Sequence, residues 1–370
     1  MTILLKGTLV LILIGWQSGL IAAENAEVPL TEATPQSQNL DDRKLNAAIT
    51  KIGNREYGNI DALLVVRNNY LVLEKYFSTE YHGREYMRPI LSVTKTMASA
   101  LIGIAIEQGK IEGVKATLLD YFAEYGDIKN LDTRKQKITL ENVLTMTAGF
   151  QWNELAISYA DPKNDFNRMV QNQDWVKYVL DVPMSHAPGD YLNYSSGSSL
   201  LLSSILQKST GQTAEAFAIE HLFRPLGIEK YTWTIARGGI TNTYSGLAMR
   251  RLDLAKIGIL YLNNGRWLDQ QVIPQEWVEQ STSKQVNADP NRAGSSYDYG
   301  YQWWRFQDHD PTVANLAVND VYFAWGYGGQ FIFVIPHLNL VVVSTADIYG
   351  ADYRRVFDVL RDYIFPAVLI

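Results

Sequence analysis

The sequence predicts an α/β (α+β) fold: an antiparallel sheet flanked by N- and C-terminal helices, with a large helical insertion. Two observations carry this. Strand-like apolar runs lie near both ends of the chain, and helical patterning fills residues 92 to about 290 between them. At 370 residues, 47% hydrophobic and 19% charged, the chain is able to bury a large core and is not disordered.

The elements follow in order. Residues 24–40 are polar, contain Pro29 and Pro35, and read as a linker. Leu45 to Ile52 reads as a short helix. Ala62-Leu63-Leu64-Val65-Val66 reads as a buried strand, Arg67-Asn68-Asn69 as a turn, and Tyr70 to Phe77 as the returning strand of a hairpin. Residues 78–89 form a loop leading to Ser92. Met97 to Ile106 is apolar nearly all round, which predicts a helix buried on most sides, with Gly109 as its stop.

Within the insertion, Thr139 is placed to cap a helix that ends near Thr147-Ala148-Gly149-Phe150. Asp174–Leu180, Ser198–Leu206, Thr213–Leu222, Arg251–Leu262 and Pro274–Glu279 complete the helical set, with a Pro188-Gly189 turn among them. Toward the end, Tyr299 to Phe306 alternates as one strand. Ala324 to Gln330 is a glycine-rich turn, and Phe331–Ile335 and Leu340–Ala346 form a strand pair. Tyr353 to Phe365 reads as a closing amphipathic helix. The expected organisation is a signal segment at 1–23, a linker at 24–40 and one catalytic domain at 41–370. Its sheet part is 41–91 with 291–370, and its helical part is 92–290.

Lys6, the apolar centre Leu9 to Ile14 and the small-residue site Ile21-Ala22-Ala23 read as an export signal, so a periplasmic or secreted protein is expected. An uncleaved anchor is the alternative. With the signal removed, no stable membrane span is expected, the apolar centre being short and interrupted. A net charge of −6 without a basic cluster argues against a nucleic-acid partner. The chain has no cysteine, which excludes disulfides, thiolate metal sites and a cysteine nucleophile. The five histidines lack metal-ligand spacing, and no metal or organic cofactor is implied.

The chemistry-bearing stretch is Ser92-Val93-Thr94-Lys95. On a helix, Ser92 and Lys95 share a face one turn apart. A lysine on a buried helix is costly unless paired or readily deprotonated, and a deprotonated lysine serves as base toward a serine. The pattern alone is weak, since Ser-x-x-Lys arises about once or twice by chance in a chain of this length. It recurs at Ser281 and Lys284, in a polar stretch that reads as a solvated loop.

Three stretches occur together in order: Ser92-Val93-Thr94-Lys95; Pro188-Gly189-Asp190-Tyr191-Leu192-Asn193-Tyr194-Ser195-Ser196-Gly197; and Gly326-Tyr327-Gly328-Gly329-Gln330. With Ile138–Gly149 and Asp253–Gly258, they make residues 45 to 365 resemble the serine β-lactamase and penicillin-binding-protein superfamily. The branch that holds class C β-lactamases, related esterases and 6-aminohexanoate-dimer hydrolases is most similar. The resemblance implies a β-lactamase/transpeptidase-like fold with its site between sheet and helical parts. It implies Ser92 as nucleophile, Lys95 as its base and Tyr194 as the second proton-transfer group. It places an oxyanion pair on the backbone N–H groups of Ser92 and Tyr327, with Gly326, Gly328 and Ser196 as neighbouring substrate-binding positions. Tyr191 and Tyr261 also begin Tyr-x-Asn patterns, but the offset from Pro188-Gly189 favours Tyr194.

Two departures bear on substrate. Ser196 stands where the second motif usually ends in Asn, and Trp325-Gly326-Tyr327 stands where β-lactamases and peptidases carry a cation. A cation there binds a substrate carboxylate. The expected partner is therefore a small ester, amide or peptide-like substrate. A β-lactamase or D,D-peptidase, and a non-catalytic sensor on the same fold, are the alternatives.

Overall fold

The computed structural model describes residues 29–81, 83–288, 296–349 and 353–369. The expected export signal lies outside the described residues. Among them, no helix is long and apolar enough to cross a membrane.

Thirteen strands are described: β1 (Ile60–Arg67), β2 (Tyr70–Tyr76), β3 (Met87–Pro89), β4 (Tyr231–Trp233), β5 (Leu247–Arg250), β6 (Arg266–Trp267), β7 (Gln270–Gln271), β8 (Val286–Asn287), β9 (Tyr297–Tyr299), β10 (Trp304–Phe306), β11 (Tyr322–Gly326), β12 (Gln330–Ile335) and β13 (Leu340–Ala346). Eight of them form one antiparallel sheet, in the order β2-β1-β13-β12-β11-β10-β9-β8. First and last thirds of the chain meet within it, where Val65 of β1 lies opposite Val342 of β13. The β1–β2 turn works because Asn68 and Asn69 both adopt left-handed backbone, φ 52° and 66°, which matches the twist of a two-residue hairpin.

The helices are α1 (Asp42–Gly53), α2 (Thr94–Glu107), α3 (Leu140–Leu144), α4 (Asp165–Gln171), α5 (Trp175–Asp181), α6 (Ser196–Thr210), α7 (Ala214–Ala218), α8 (Arg251–Leu262), α9 (Gln275–Thr282), α10 (Arg355–Val359) and α11 (Phe365–Ala367). The sheet is covered on both faces, so its strands are apolar on both. Ala62, Leu64, Val66, Ile332, Val334, Val341 and Val343 join the core beneath α8 and the helical part. Leu63, Val65, Phe331, Phe333, Ile335 and Val342 join the opposite core with α1, α10 and α11. This is the period-2 alternation of a strand with two buried faces. Helix α2 runs through the centre of the insertion against α6, α7 and α9, and every residue from Thr94 to Ala105 is buried.

Four sequence expectations change. The single strand expected over Tyr299–Phe306 is two, β9 and β10, folded back by a turn at residues 300–303. Gln302 adopts φ 65° there, and the Gly300 N–H donates to the Trp303 carbonyl at 2.8 Å. Residues 29–40, expected as a linker, lie against the body. The Leu71 N–H donates to the Thr31 carbonyl at 2.9 Å, and Leu40 bridges to Val368. The span 92–290, expected as helical, also holds the small sheet β3-β5-β4, which β3 enters from before Ser92. Helix α8 in that span packs on β1, β12 and β13, so it serves the sheet part. Ser281, expected in a solvated loop, is buried on α9.

Candidate active site

The site forms where the start of α2 meets the C-terminal end of β11, an interior strand of the sheet. Leu91 takes a left-handed backbone, φ 48°, a conformation that costs a leucine about 1–2 kcal/mol. The surrounding strands impose it. The Ile90 N–H donates to the Leu247 carbonyl of β5 at 3.0 Å, and the Val93 N–H donates back to Ile90 at 3.2 Å. The Ile90 carbonyl presses on Gly326, where an added Cβ would lie 2.4 Å from that oxygen. Only glycine permits β11 to approach this closely. Ser92 therefore sits on a clamped turn (Leu91–Val93) at the head of α2. Its N–H belongs to the first helical turn, where amides lack intrahelical acceptors.

Lys95 is 2% exposed and lies one turn on. Its Nζ donates to Ser92 Oγ at 3.1 Å, to the Tyr244 carbonyl at 2.8 Å and to Ser196 Oγ at 3.5 Å. Burial pulls its pKa down to about 8, and the Glu154 carboxylate opposes that pull. The ammonium is thus satisfied by three oxygens, and the neutral amine is accessible near neutral pH. When Lys95 is neutral, its two N–H groups serve Tyr244 and Ser196, and its lone pair is left for the Ser92 hydroxyl.

Tyr194 stands beside this pair. Lys95 Nζ lies 4.9 Å from its ring centroid, and the ring stacks on Trp304 at 6.1 Å. Burial, then the nearby Glu154 charge, raise the Tyr194 pKa above the ordinary tyrosine value, while the adjacent Ser92 hydroxyl pulls the other way. The phenol therefore holds its proton beside Ser92. The competing tyrosines go elsewhere. Tyr191 stacks on His186 at 5.1 Å, and buried Tyr261 packs against Trp303 at 4.5 Å.

In front of Ser92 is a cavity of about 330 Å³, walled by Tyr194, Trp304, Trp325, Tyr327, Tyr159 and Tyr353 among others. The third motif is its rim. Gly328 and Gly329 turn the chain at φ 83° and 95°. Gln330 ties the turn down by donating to the Ala346 carbonyl at 2.6 Å, and the Ile348 N–H donates to the Gly328 carbonyl at 2.9 Å. Among the described residues, the Tyr327 N–H has no acceptor. Trp325 packs into an aromatic wall with Tyr353 at 4.6 Å and Trp304 at 5.3 Å. Among the described residues that line the cavity there is no cation.

The Beta-lactamase family model matches residues 59–358. The chain belongs to the Beta-lactamase family. The 6-aminohexanoate-dimer hydrolase of Paenarthrobacter ureafaciens is 21% identical over 313 residues, covering 80% of this chain and 74% of that protein. A Bacillus anthracis structure provisionally named a 6-aminohexanoate-dimer hydrolase superposes with TM-score 0.72 at 20% identity, over 92% of this chain and 87% of that one. EstCE1, a hydrolase with promiscuous acyltransferase activity, superposes with TM-score 0.70 at 14% identity, over 87% and 99%.

On this Beta-lactamase-family fold, Ser92, Tyr194, Tyr327 and Gly328 line one cavity, and Lys95 is hydrogen-bonded to Ser92 behind it. Gly326 serves by close packing behind it. Ser196, expected as a substrate-binding position, does not line the cavity: it is 4% exposed and lies next to Lys95. Its Oγ donates to Glu154 Oε1 at 2.6 Å and its N–H to Glu154 Oε2 at 2.7 Å. Sequence reasoning missed Glu154 and the walls Tyr159, Trp304 and Tyr353. Glu154 is a single acid in the run Phe150-Gln151-Trp152-Asn153-Glu154, with no spacing rule to mark it.

Proposed function

We propose that this chain is an exported serine hydrolase that cleaves ester or small amide bonds through an acyl-enzyme on Ser92. Neutral Lys95 takes the Ser92 proton as Oγ attacks the substrate carbonyl. The N–H groups of Ser92 and Tyr327 bind the oxyanion, and Tyr194 hands a proton to the leaving group and regains one from the Lys95 ammonium, which restores the phenol and the neutral amine. Water then hydrolyses the acyl-serine. The observation that carries this reading is the 3.1 Å contact of buried Lys95 with Ser92, its other two acceptors being fixed.

The aromatic wall around Trp325 favours a neutral, apolar acyl group. Export rests on the signal-like pattern of residues 1–23. A second reading, hydrolysis of penicillins or cell-wall peptides, is favoured by the family's name and opposed by the missing cation. A pure binder has no need for all three of Ser92, Lys95 and Tyr194.

The test is a panel of p-nitrophenyl esters, anilides and nitrocefin. Neutral esters are expected to exceed otherwise matched carboxylate-bearing ones by about tenfold in kcat/KM, the worth of one absent charge-assisted hydrogen bond. Nitrocefin as the preferred substrate would move the assignment to the second reading.

A further inference from the structure

Glu154 is 2% exposed and lies beside the reacting groups. Its two oxygens receive four donors. Oε1 accepts from Ser196 Oγ at 2.6 Å and the Tyr159 hydroxyl at 2.8 Å. Oε2 accepts from the Ser196 N–H at 2.7 Å and Trp152 Nε1 at 2.8 Å. With each oxygen doubly engaged, the carboxylate has no capacity left to take a proton from water or substrate. It does not act as a base itself.

Its effect runs through Ser196. A hydroxyl has one hydrogen, and Ser196 commits it to Glu154. Its remaining lone pairs face Lys95 Nζ at 3.5 Å, so Ser196 meets Lys95 only as an acceptor. The Tyr244 carbonyl is the other fixed acceptor, at 2.8 Å. Two obligatory acceptors orient the neutral amine so that its lone pair points at Ser92. Without the carboxylate, the Ser196 hydroxyl is free to turn its hydrogen toward Lys95 and compete with Ser92 for that lone pair.

We propose that Glu154 is a positioning residue: by locking Ser196 as an acceptor, it aims the Lys95 lone pair at Ser92. The proposal rests on the acyl-enzyme reading above. The same carboxylate fastens the cavity wall, since the Tyr159 ring it holds lies 5.8 Å from that of Tyr327. The titratable groups facing Lys95 and Glu154 are Tyr194, Tyr244 and Tyr159, all with pKa values raised chiefly by burial, so all remain neutral while Lys95 titrates.

The experiment compares wild type, Glu154→Gln, Ser196→Ala and the double variant. It follows kcat/KM on a neutral p-nitrophenyl ester against pH, and fluorophosphonate labelling at Ser92. In Glu154→Gln, kcat/KM is expected to fall by about 10²-fold, the scale of a misaimed reactive group. Its ascending pH limb is expected to move to lower pH, because the charge that favours protonated Lys95 is gone. Ser196→Ala keeps that charge, so it is expected to lose rate while holding the wild-type midpoint. The double variant is expected to lose little more than Glu154→Gln alone, because the two residues act as a unit.

A folded Glu154→Gln protein with wild-type midpoint and rate would overturn the proposal. If Glu154→Gln does not fold, Ser196→Ala decides: a wild-type rate there overturns the proposal, and a loss at unchanged midpoint supports it. A wild type that the probe does not label would overturn the acyl-enzyme reading and this inference together. A labelled wild type with an indifferent Glu154→Gln variant overturns this inference alone.

Discussion

Two copies of one four-residue pattern sit in this protein and do different things. At Ser92–Lys95 the serine opens onto a cavity, and the lysine is buried behind it with its nitrogen 3.1 Å from Oγ. At Ser281–Lys284 the serine is buried, and its hydroxyl donates to the Val278 carbonyl at 3.3 Å. There Lys284 reaches outward to Asp298 at 3.2 Å. The spacing is the same, but α9 ends at Thr282, so Lys284 lies past the helix and is not carried one turn on beside its serine. A third region narrows the lesson further. Lys135 is also buried, and burial pulls its pKa to about 8, as for Lys95. Its Nζ donates to the carbonyls of Lys129 and Leu180 at 2.9 and 2.7 Å, and neither acceptor is a nucleophile. Neither the motif nor the depressed lysine marks the site. The conjunction of buried lysine, serine hydroxyl and open cavity does.

The largest contrast lies between the serines. Ser92→Ala is expected to lower kcat on the order of 10⁶-fold, as loss of a nucleophile does, while Ser281→Ala keeps wild-type turnover and costs about 1 kcal/mol of stability in urea titration. Next come the tyrosines. Tyr194→Phe removes a proton donor and is expected to lower kcat by about 10²- to 10⁴-fold, while Tyr191→Phe stays within twofold. Wild-type turnover in Tyr194→Phe would collapse that distinction. The lysines give the smallest but most telling difference. Lys95 is active when neutral, so kcat/KM rises with pH through a midpoint of about 8, set by the burial that lowers its pKa. Lys135→Met is expected to leave that midpoint in place and cost about 1–3 kcal/mol by orphaning the Leu180 carbonyl. A midpoint that moves with Lys135 would assign the titration to the wrong lysine.

The sheet and the central helix were legible because their signals are local. Alternation along β1, β12 and β13 and the all-round apolarity of α2 are properties of neighbouring residues. The Ser92–Lys95 pair was legible for the same reason, the two being one turn apart, and Tyr194 and Tyr327 came through family motifs. Glu154 was not, because what gives it meaning is Ser196, 42 residues away, and no periodicity spans that distance. The surroundings of Ser196 were hidden for the complementary reason: the motif gives its place in order, while the direction of its hydroxyl depends on Glu154. The turn inside Tyr299–Phe306 was hidden because alternation continues on both sides of it.

The most direct test of the central claim is peptide mapping by mass spectrometry after treatment with a fluorophosphonate or a slow ester substrate. The account predicts a single covalent adduct on the peptide carrying Ser92, none on that carrying Ser281, and no adduct in Ser92→Ala. Ester turnover that persists in folded Ser92→Ala, or an adduct on another residue, would contradict it.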